Sequence, residues 1–326
     1  MLAAEQKVLS GMLAVKKPAG ITSKDVSRKL TRILGKLKLG HVGTLDPLAE
    51  GVLPILVGNS TRLQDNLLDS KKVYICKLKL GFETDTLDAT GKTLATKEFK
   101  HVTLEQLRHE AIKLIGPQVQ PPPLYSAVKF KGKPLYKYAR TGNVGALDTS
   151  LIKRNIHVYS FLISSYHDGV VTFEVTVSKG TYVRSLAVSL AESVNTLGTV
   201  IFLNRIETAG VKAVQAVELA TLISKLQMGE KLEDFIIPPE KFNMNIPFYQ
   251  LKDDLLVEDL LLGKKIYFSQ KEFTNKLVLT NTYKPDSFMD ELECLLLDGS
   301  GKTFGLGLLT GVTGTSICVS RKRRIR

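Results

Sequence analysis

The chain predicts an α+β fold, with a large first domain over residues 1–248 and a small, mostly β second domain over 249–326. Three observations predict it. Strand-like and helix-like runs are mixed, without the regular strand–helix alternation of a doubly wound sheet. A composition change falls at Ile236–Pro247, IIPPEKFNMNIP, which carries three prolines. Beyond it, short strand-like runs follow one another closely. A length of 326 residues suits one large domain and a small one.

The elements follow in chain order. Ser23 is placed to cap a helix running to about Leu34, with Val26, Leu30, Ile33 and Leu34 at helical spacing and Gly35 as its stop. The next stretch reads as a loop. Val52–Val57 reads as a short buried strand, in which Pro54 marks an edge or an irregularity. Asn59-Ser60-Thr61 then offers caps for a helix through Leu68.

Val73–Leu80 alternates, with Tyr74, Cys76, Leu78 and Leu80 on one face. Thr103 and Gln106 form a capping box for a helix bearing Leu104, Leu107, Ala111 and Leu114, ended by Gly116-Pro117. Gln120-Pro121-Pro122-Pro123 is a stiff connector. FKGKPLYKYARTG follows, basic residues interleaved with tyrosines. Asn155–Ser164 and Val170–Val177 read as paired strands turning at His167-Asp168-Gly169, and a helix follows Tyr182. In the second domain Lys276–Thr280, Leu292–Leu297, Phe304–Leu309 and Ser316–Val319 read as strands.

Composition narrows the function. The formal charge of +13 favours a polyanionic partner, nucleic acid above all. Residues 1–251 hold 33 basic and 22 acidic side chains, whereas 252–320 are net negative, so the anion-binding surface belongs to the first part. The tail RKRRIR is either an addition to that surface or a solvated, frayed end. No apolar run is long enough for a membrane span, and the N-terminus has no signal-peptide pattern, which makes the cytoplasm the expected location. Cys76, Cys294 and Cys318 are widely spaced and the five histidines do not cluster, so no metal site is expected.

GHVGTLDPLAEGVL, from Gly40 to Leu53, concentrates the chemistry. Its glycines permit tight backbone geometry, and Pro47 holds Asp46 extended. A lone carboxylate so presented serves as a nucleophile or general base, or merely closes an Asx turn. The loop matches neither phosphate-binding glycine pattern, so no nucleotide cofactor is indicated.

Beyond these readings, GHVGTLDPLAEGVLP resembles the catalytic signature of the TruB family of pseudouridine synthases. The likeness extends, in order, to KPAGITS (Lys17–Ser23), KKVYICKLKLG around Tyr74, GFETDTLDATG (Gly81–Gly91), PPPLYSAVKFKGKPLYKYARTG, SKGTYVRSLA (Ser178–Ala187) and LNRI (Leu203–Ile206). It covers about Leu13 to Pro239. LLLDGSGKTFGLGLL (Leu295–Leu309) is similar, more weakly, to a PUA-like domain.

The resemblance implies a pseudouridine synthase fold with a mixed, largely antiparallel sheet and flanking helices. It implies isomerisation of the T-loop uridine of tRNA, position 55 in conventional tRNA numbering, by base flipping and aspartate-dependent cleavage and re-formation of the glycosidic bond. Asp46 would be the catalytic aspartate, Tyr74 the base-stacking tyrosine, Arg184 the arginine paired with Asp46, and His41 the flipping ring. Leu203, Arg62 and Arg205 would border the pocket. Lys17, Lys129, Lys131, Lys133, Tyr136 and Arg140 would contact RNA, the last five within a gripping segment over about 121–143. No cofactor is implied. The partner is the tRNA T-arm, with no membrane, no obligatory protein partner and a monomeric state. Asn204 and Lys137 depart from the family pattern, which has arginine and an acidic residue there. The competing readings are an RNA-folding chaperone in which catalysis is secondary, and a relative modifying other RNA.

Overall fold

The computed structural model describes residues 9–141, 152–281, 291–311 and 316–325. The last two residues of the expected gripping segment, 142–143, and the final Arg326 lie outside them.

Period-two alternation builds the main sheet. In the strand Lys72–Leu80, residues Tyr74, Cys76, Leu78 and Leu80 are buried in one apolar cluster. This strand pairs antiparallel with Val170–Val177 on one side and Gly198–Thr208 on the other. Eleven strands join the sheet, its main path running Val217–Glu218, Gly11–Lys17, Glu50–Val57, Gly198–Thr208, Lys72–Leu80, Val170–Val177, Arg154–His167 and Gly116–Gln120. Only two of its pairings are parallel, so the sheet is mixed and largely antiparallel. The helices Ser23–Leu34, Leu104–Lys113, Val183–Ser193 and Leu219–Gln227 all bury residues in the cluster that holds Tyr74 and Cys76. They therefore cover one face. The strand Gly11–Lys17 is buried on both faces: Leu13 and Val15 belong to the helix-side cluster, Met12 and Ala14 to a second one shared with the C-terminal sheet.

That second sheet has six strands, ordered Ile266–Ser269, Ser316–Arg324, Thr303–Thr310, Glu291–Leu297, Phe248–Leu251 and Leu277–Leu279. Two short helices, Asp254–Leu261 and Gln270–Lys276, accompany it. Their apolar stretches are too short for a helical period to stand out in the sequence.

Several local expectations change. Thr22, not Ser23, caps the first helix, in a capping box with Asp25, because the Ser23 hydroxyl is committed inward to Leu45. Residues 58–68 form a 3-10 turn followed by a short α-helix, and neither has a side-chain cap. Pro54 marks an irregularity within an interior strand, not an edge. The contact of Glu50–Val57 with Gly198–Thr208 covers only Glu50 and Gly51; beyond it Leu39–His41 takes over, and the Pro54 carbonyl accepts the Val42 N–H. The described part of the basic tail, 321–325, is not frayed. It continues the strand Ser316–Arg324, and Ile325 is fully buried behind it. No helix among the described residues is long and apolar enough to cross a membrane.

Candidate active site

The loop carrying Asp46 is held on both flanks. Before it, the Leu45 N–H donates to Ser23 Oγ (2.8 Å), and the Ser23 hydroxyl faces the Leu45 carbonyl (3.1 Å). After it, the Pro47 carbonyl accepts the Gly20 N–H (2.7 Å) and lies 3.4 Å from Lys17 Nζ. The KPAGITS segment is thus the bracket for the aspartate loop. Lys17 is 1% exposed, and its ammonium also donates to the carbonyls of Pro18 and Ile21. Burial lowers its pKa to about 8. It therefore props the loop and does not reach an RNA surface, which corrects its expected contact role. A lysine opening a Pro-Gly turn reads as exposed in sequence; only the fold reveals the carbonyls that surround it.

From the other side, Arg205 locks the same loop. It is fully buried, and donates from Nε to Val52 O (2.8 Å) and from Nη2 to Gly43 O (3.0 Å). Gly43 and Gly51 have φ of +71° and +104°. A Cβ on Gly51 would lie 2.3 Å from the Arg205 carbonyl oxygen and from Asn204 Oδ1, so only glycine lets these two strands meet.

Asp46 then projects with its side chain 32% exposed, its Oδ2 2.8 Å from Arg184 Nε. Arg184 opens the helix Val183–Ser193 and is 3% exposed. Its guanidinium is anchored from behind: Nη1 donates to Thr86 O (2.6 Å) and Nη2 to Tyr125 O (3.0 Å), and Asp88 Oδ2 lies 3.5 Å away. Asp88 is itself buried and accepts from Thr86 Oγ1 and from the Thr90 N–H. The GFETDTLDATG segment is therefore a socket for the arginine. Its fork geometry fixes the direction from which Asp46 meets a cation.

Asp46, Tyr74, Leu203 and Arg205 line one cavity of about 320 Å³. Tyr74 is 7% exposed and Leu203 5%, so this part of the wall is apolar and closely packed. Lys72, Lys179, Arg154 and Tyr182 also line the cavity. Lys72 is the least expected of these. It is buried, on the face of its strand that carries Tyr74, and its ammonium donates to Leu68 O (3.0 Å) and Ser70 O (2.7 Å). Burial, then the neighbouring Arg205, lowers its pKa to about 8. A lysine two residues before Tyr74, on an otherwise apolar face, was the available signal.

His41 ends the short strand Leu39–His41 and stands next to the cavity without lining it; its Nε2 is 3.4 Å from the hydroxyl of the lining residue Thr44. Burial and then Arg205 hold its pKa below the usual histidine value, which favours an uncharged ring. Arg62 does not line the cavity. It sits in the 3-10 turn, its carbonyl accepting from Arg323 of the C-terminal sheet.

Ser126, Ala127 and Val128 form part of the cavity wall, and the basic segment springs directly from them. Lys129–Phe130 pairs with Lys133–Pro134 as a small hairpin, turned by Lys131 and Gly132 with positive φ. A short helix, Leu135–Arg140, follows. Lys129, Lys131, Lys133 and Arg140 are exposed, and Lys133 and Arg140 lie over the rings of Tyr138 and Tyr136. Lys137 is exposed on that helix. Among the described residues, no group of three His, Cys, Asp or Glu is arranged to hold a metal ion.

This geometry can be set beside known proteins. The family model described as TruB family pseudouridylate synthase (N terminal domain) matches residues 31–183, a span that includes Asp46 and Tyr74 and stops one residue before Arg184. The tRNA pseudouridine synthase B of Clostridium kluyveri is 34% identical over 305 residues, covering 92% of this chain and 96% of that protein. The same-named protein of Francisella philomiragia is 36% identical, covering 87% and 98%. That of Streptococcus pneumoniae serotype 4 is 40% identical over 238 residues, covering 71% and 80%. Among solved structures, an H/ACA ribonucleoprotein bound to a substrate RNA containing 2'-deoxyuridine superposes with a TM-score of 0.70 at 20% identity, covering 97% of this chain and 85% of that chain. An archaeal box H/ACA Nop10–Cbf5 complex does so with a TM-score of 0.69 at 21% identity, covering 98% and 87%. At such identities these structures speak to the fold. Together with relatives 34–40% identical over most of their own length, the match shows that the chain belongs to the TruB family of pseudouridylate synthases.

Proposed function

We propose that this protein is a tRNA pseudouridine synthase that isomerises the T-loop uridine of tRNA, with Asp46 as its catalytic carboxylate. The observation that carries the reading is the presentation of Asp46: a single carboxylate, bracketed on both flanks, paired with a socketed arginine and opening into a cavity walled by Tyr74 and Leu203.

The reaction breaks the uracil–ribose bond, turns the base and rejoins it through carbon-5. Substrate and product have the same atoms, so the chemistry calls for position more than for an added reagent. Attack on carbon-6, attack on the anomeric carbon and removal of a sugar proton all place the same demand on Asp46: an ionised oxygen at a fixed point. Arg184 sets that point. Tyr74 supplies a ring to stack on the extracted base and a hydroxyl close to the proton that must leave. Leu203 closes the apolar wall around the loose base.

The uridine must first leave a folded RNA loop, at a cost on the order of a few kcal/mol in stacking and pairing. His41, with an uncharged ring beside the cavity, suits stacking into the vacated loop. The exposed cations of the 129–140 segment suit the phosphate backbone, their neighbouring rings suit bases, and both continue from the cavity wall. Residues 1–248 are taken as the catalytic unit and 249–326 as a PUA-like unit, the whole acting as a monomer on the T-arm without an obligatory protein partner.

The decisive experiment incubates the protein with unmodified tRNA and maps pseudouridine along it, alongside Asp46→Asn. The expected outcome is one modified T-loop position with the wild type, and none with the variant although it still binds the RNA. Modification elsewhere would overturn the substrate assignment; a fully active Asp46→Asn would overturn the catalytic one.

A further inference from the structure

Residues 58–70 lie between the cavity and the C-terminal sheet and touch both. On the cavity side, Leu68 lines the wall, and the carbonyls of Leu68 and Ser70 hold the Lys72 ammonium. Gln64 Nε2 donates to the His41 carbonyl at 3.1 Å. On the opposite side, Asn66 Nδ2 donates to Glu293 Oε2 at 3.2 Å, and Arg323 Nη1 donates to the Arg62 carbonyl at 3.1 Å. Leu63 and Leu67 share a buried cluster with Leu295, Leu297, Leu306 and Ile325, all at most 4% exposed.

Arg321 and Lys322 tie the last strand into its own unit, and through Glu293 to Asn66. Lys322 pairs with Glu293, the acceptor of Asn66, and Arg321 donates to the Leu261 carbonyl. A strand that sends Arg323 to the Arg62 carbonyl, and behind which Ile325 is buried against Leu63 and Leu67, is built as a buttress.

We propose that the C-terminal sheet is a positioning element for the active site, with Glu293 and Arg323 as positioning residues that act through segment 58–70 on Lys72 and His41. The proposal rests on reading the Asp46 cavity as the active site. It assigns the C-terminal unit a share in turnover itself, separate from any share in holding RNA. The physical reason is that segment 58–70 has little structure of its own. It is one 3-10 turn and five helical residues without side-chain caps, so its shape is set by what it packs against.

The test uses the full-length protein and a T-arm minihelix, and measures both dissociation constant and single-turnover pseudouridine formation at saturating enzyme. Glu293→Ala and Asn66→Ala should each slow single turnover roughly fivefold, the scale of one lost hydrogen bond, with affinity unchanged within about twofold. The double variant should be no slower than either single one, because both remove the same contact. Glu293→Gln, which keeps an acceptor for Asn66, should recover most of the rate. Amide exchange over 58–70 should rise in Glu293→Ala and return in Glu293→Gln. Should Glu293→Ala fold poorly, Asn66→Ala and Glu293→Gln carry the same test. Wild-type single-turnover rates in all variants, or a loss confined to affinity, would overturn the proposal. Absence of pseudouridine with the wild-type protein would instead overturn the functional reading above.

Discussion

Arg184 makes its fork contacts in three directions, to Asp46, Thr86 and Tyr125. A lysine carries its donors on one nitrogen and cannot spread them as Nε, Nη1 and Nη2 of the guanidinium do. Arg184→Lys is therefore expected to lower single-turnover pseudouridine formation by roughly a hundredfold, the scale of a lost preorganised donor, while tRNA affinity stays within about threefold. Lys72 gives a pH dependence. Its ammonium carries charge below about pH 8 and loses it above, because burial and Arg205 disfavour the charged form while Asp69 opposes them and Lys179 adds to them. The rate should fall as pH rises through 8. In Lys72→Arg, whose side chain stays charged at alkaline pH, the fall should become shallower, leaving the part that Lys17 contributes in the same window; a pH–rate profile of both proteins checks it. The residues already quoted in the sequence reading behave unequally. Asp46, Tyr74, Leu203 and Arg205 meet in one cavity, whereas Lys17 is a buried prop and Arg62 is not among the lining residues.

Among the elements, the aspartate loop depends on how closely two strands approach. Gly51 has φ +104°, and any Cβ there meets the Arg205 backbone at 2.3 Å. Gly51→Ala should destabilise the protein by about 2 kcal/mol or more, from backbone strain and overpacking together, and should displace Arg205 from Gly43. Denaturant unfolding measures the first effect and pseudouridine formation the second. The strands Lys72–Leu80 and Val170–Val177 and the Leu104–Lys113 helix were legible because apolar alternation and a capping box are local signals, whereas the strands Gly11–Lys17 and Gly198–Thr208 were not read. The first helix had the right span but the wrong cap, since the inward bond of Ser23 to Leu45 spans 22 residues. The C-terminal helices and the strands Phe248–Leu251 and Ile266–Ser269 were missed, being four to eight residues long with no period to read.

For the molecule as a whole, charge should govern encounter with RNA. Residues 1–251 carry a net positive charge of eleven. If about four phosphates are contacted, tRNA affinity should drop roughly a hundredfold between 50 and 200 mM salt. A flat salt series would remove the cationic surface from the account. Lys322 is expected to contribute little to that slope, because its charge is paired with Glu293 inside the protein.

By itself the sequence determined the α+β class, four strands of the main sheet, the glycine loop with its lone carboxylate and the basic segment after Pro123. All of these are written in local spacing or in runs of one kind of residue. Only the tertiary structure decided which cations are tools and which are struts. Arg184 reaches Asp46 across 138 positions of chain, Lys17 spends its charge on carbonyls, and the tail folds back against residues 58–68. A charged side chain looks the same in a sequence wherever it points. Its role follows from whether the fold surrounds it with carbonyls, with a carboxylate or with water, and those neighbours come from distant parts of the chain.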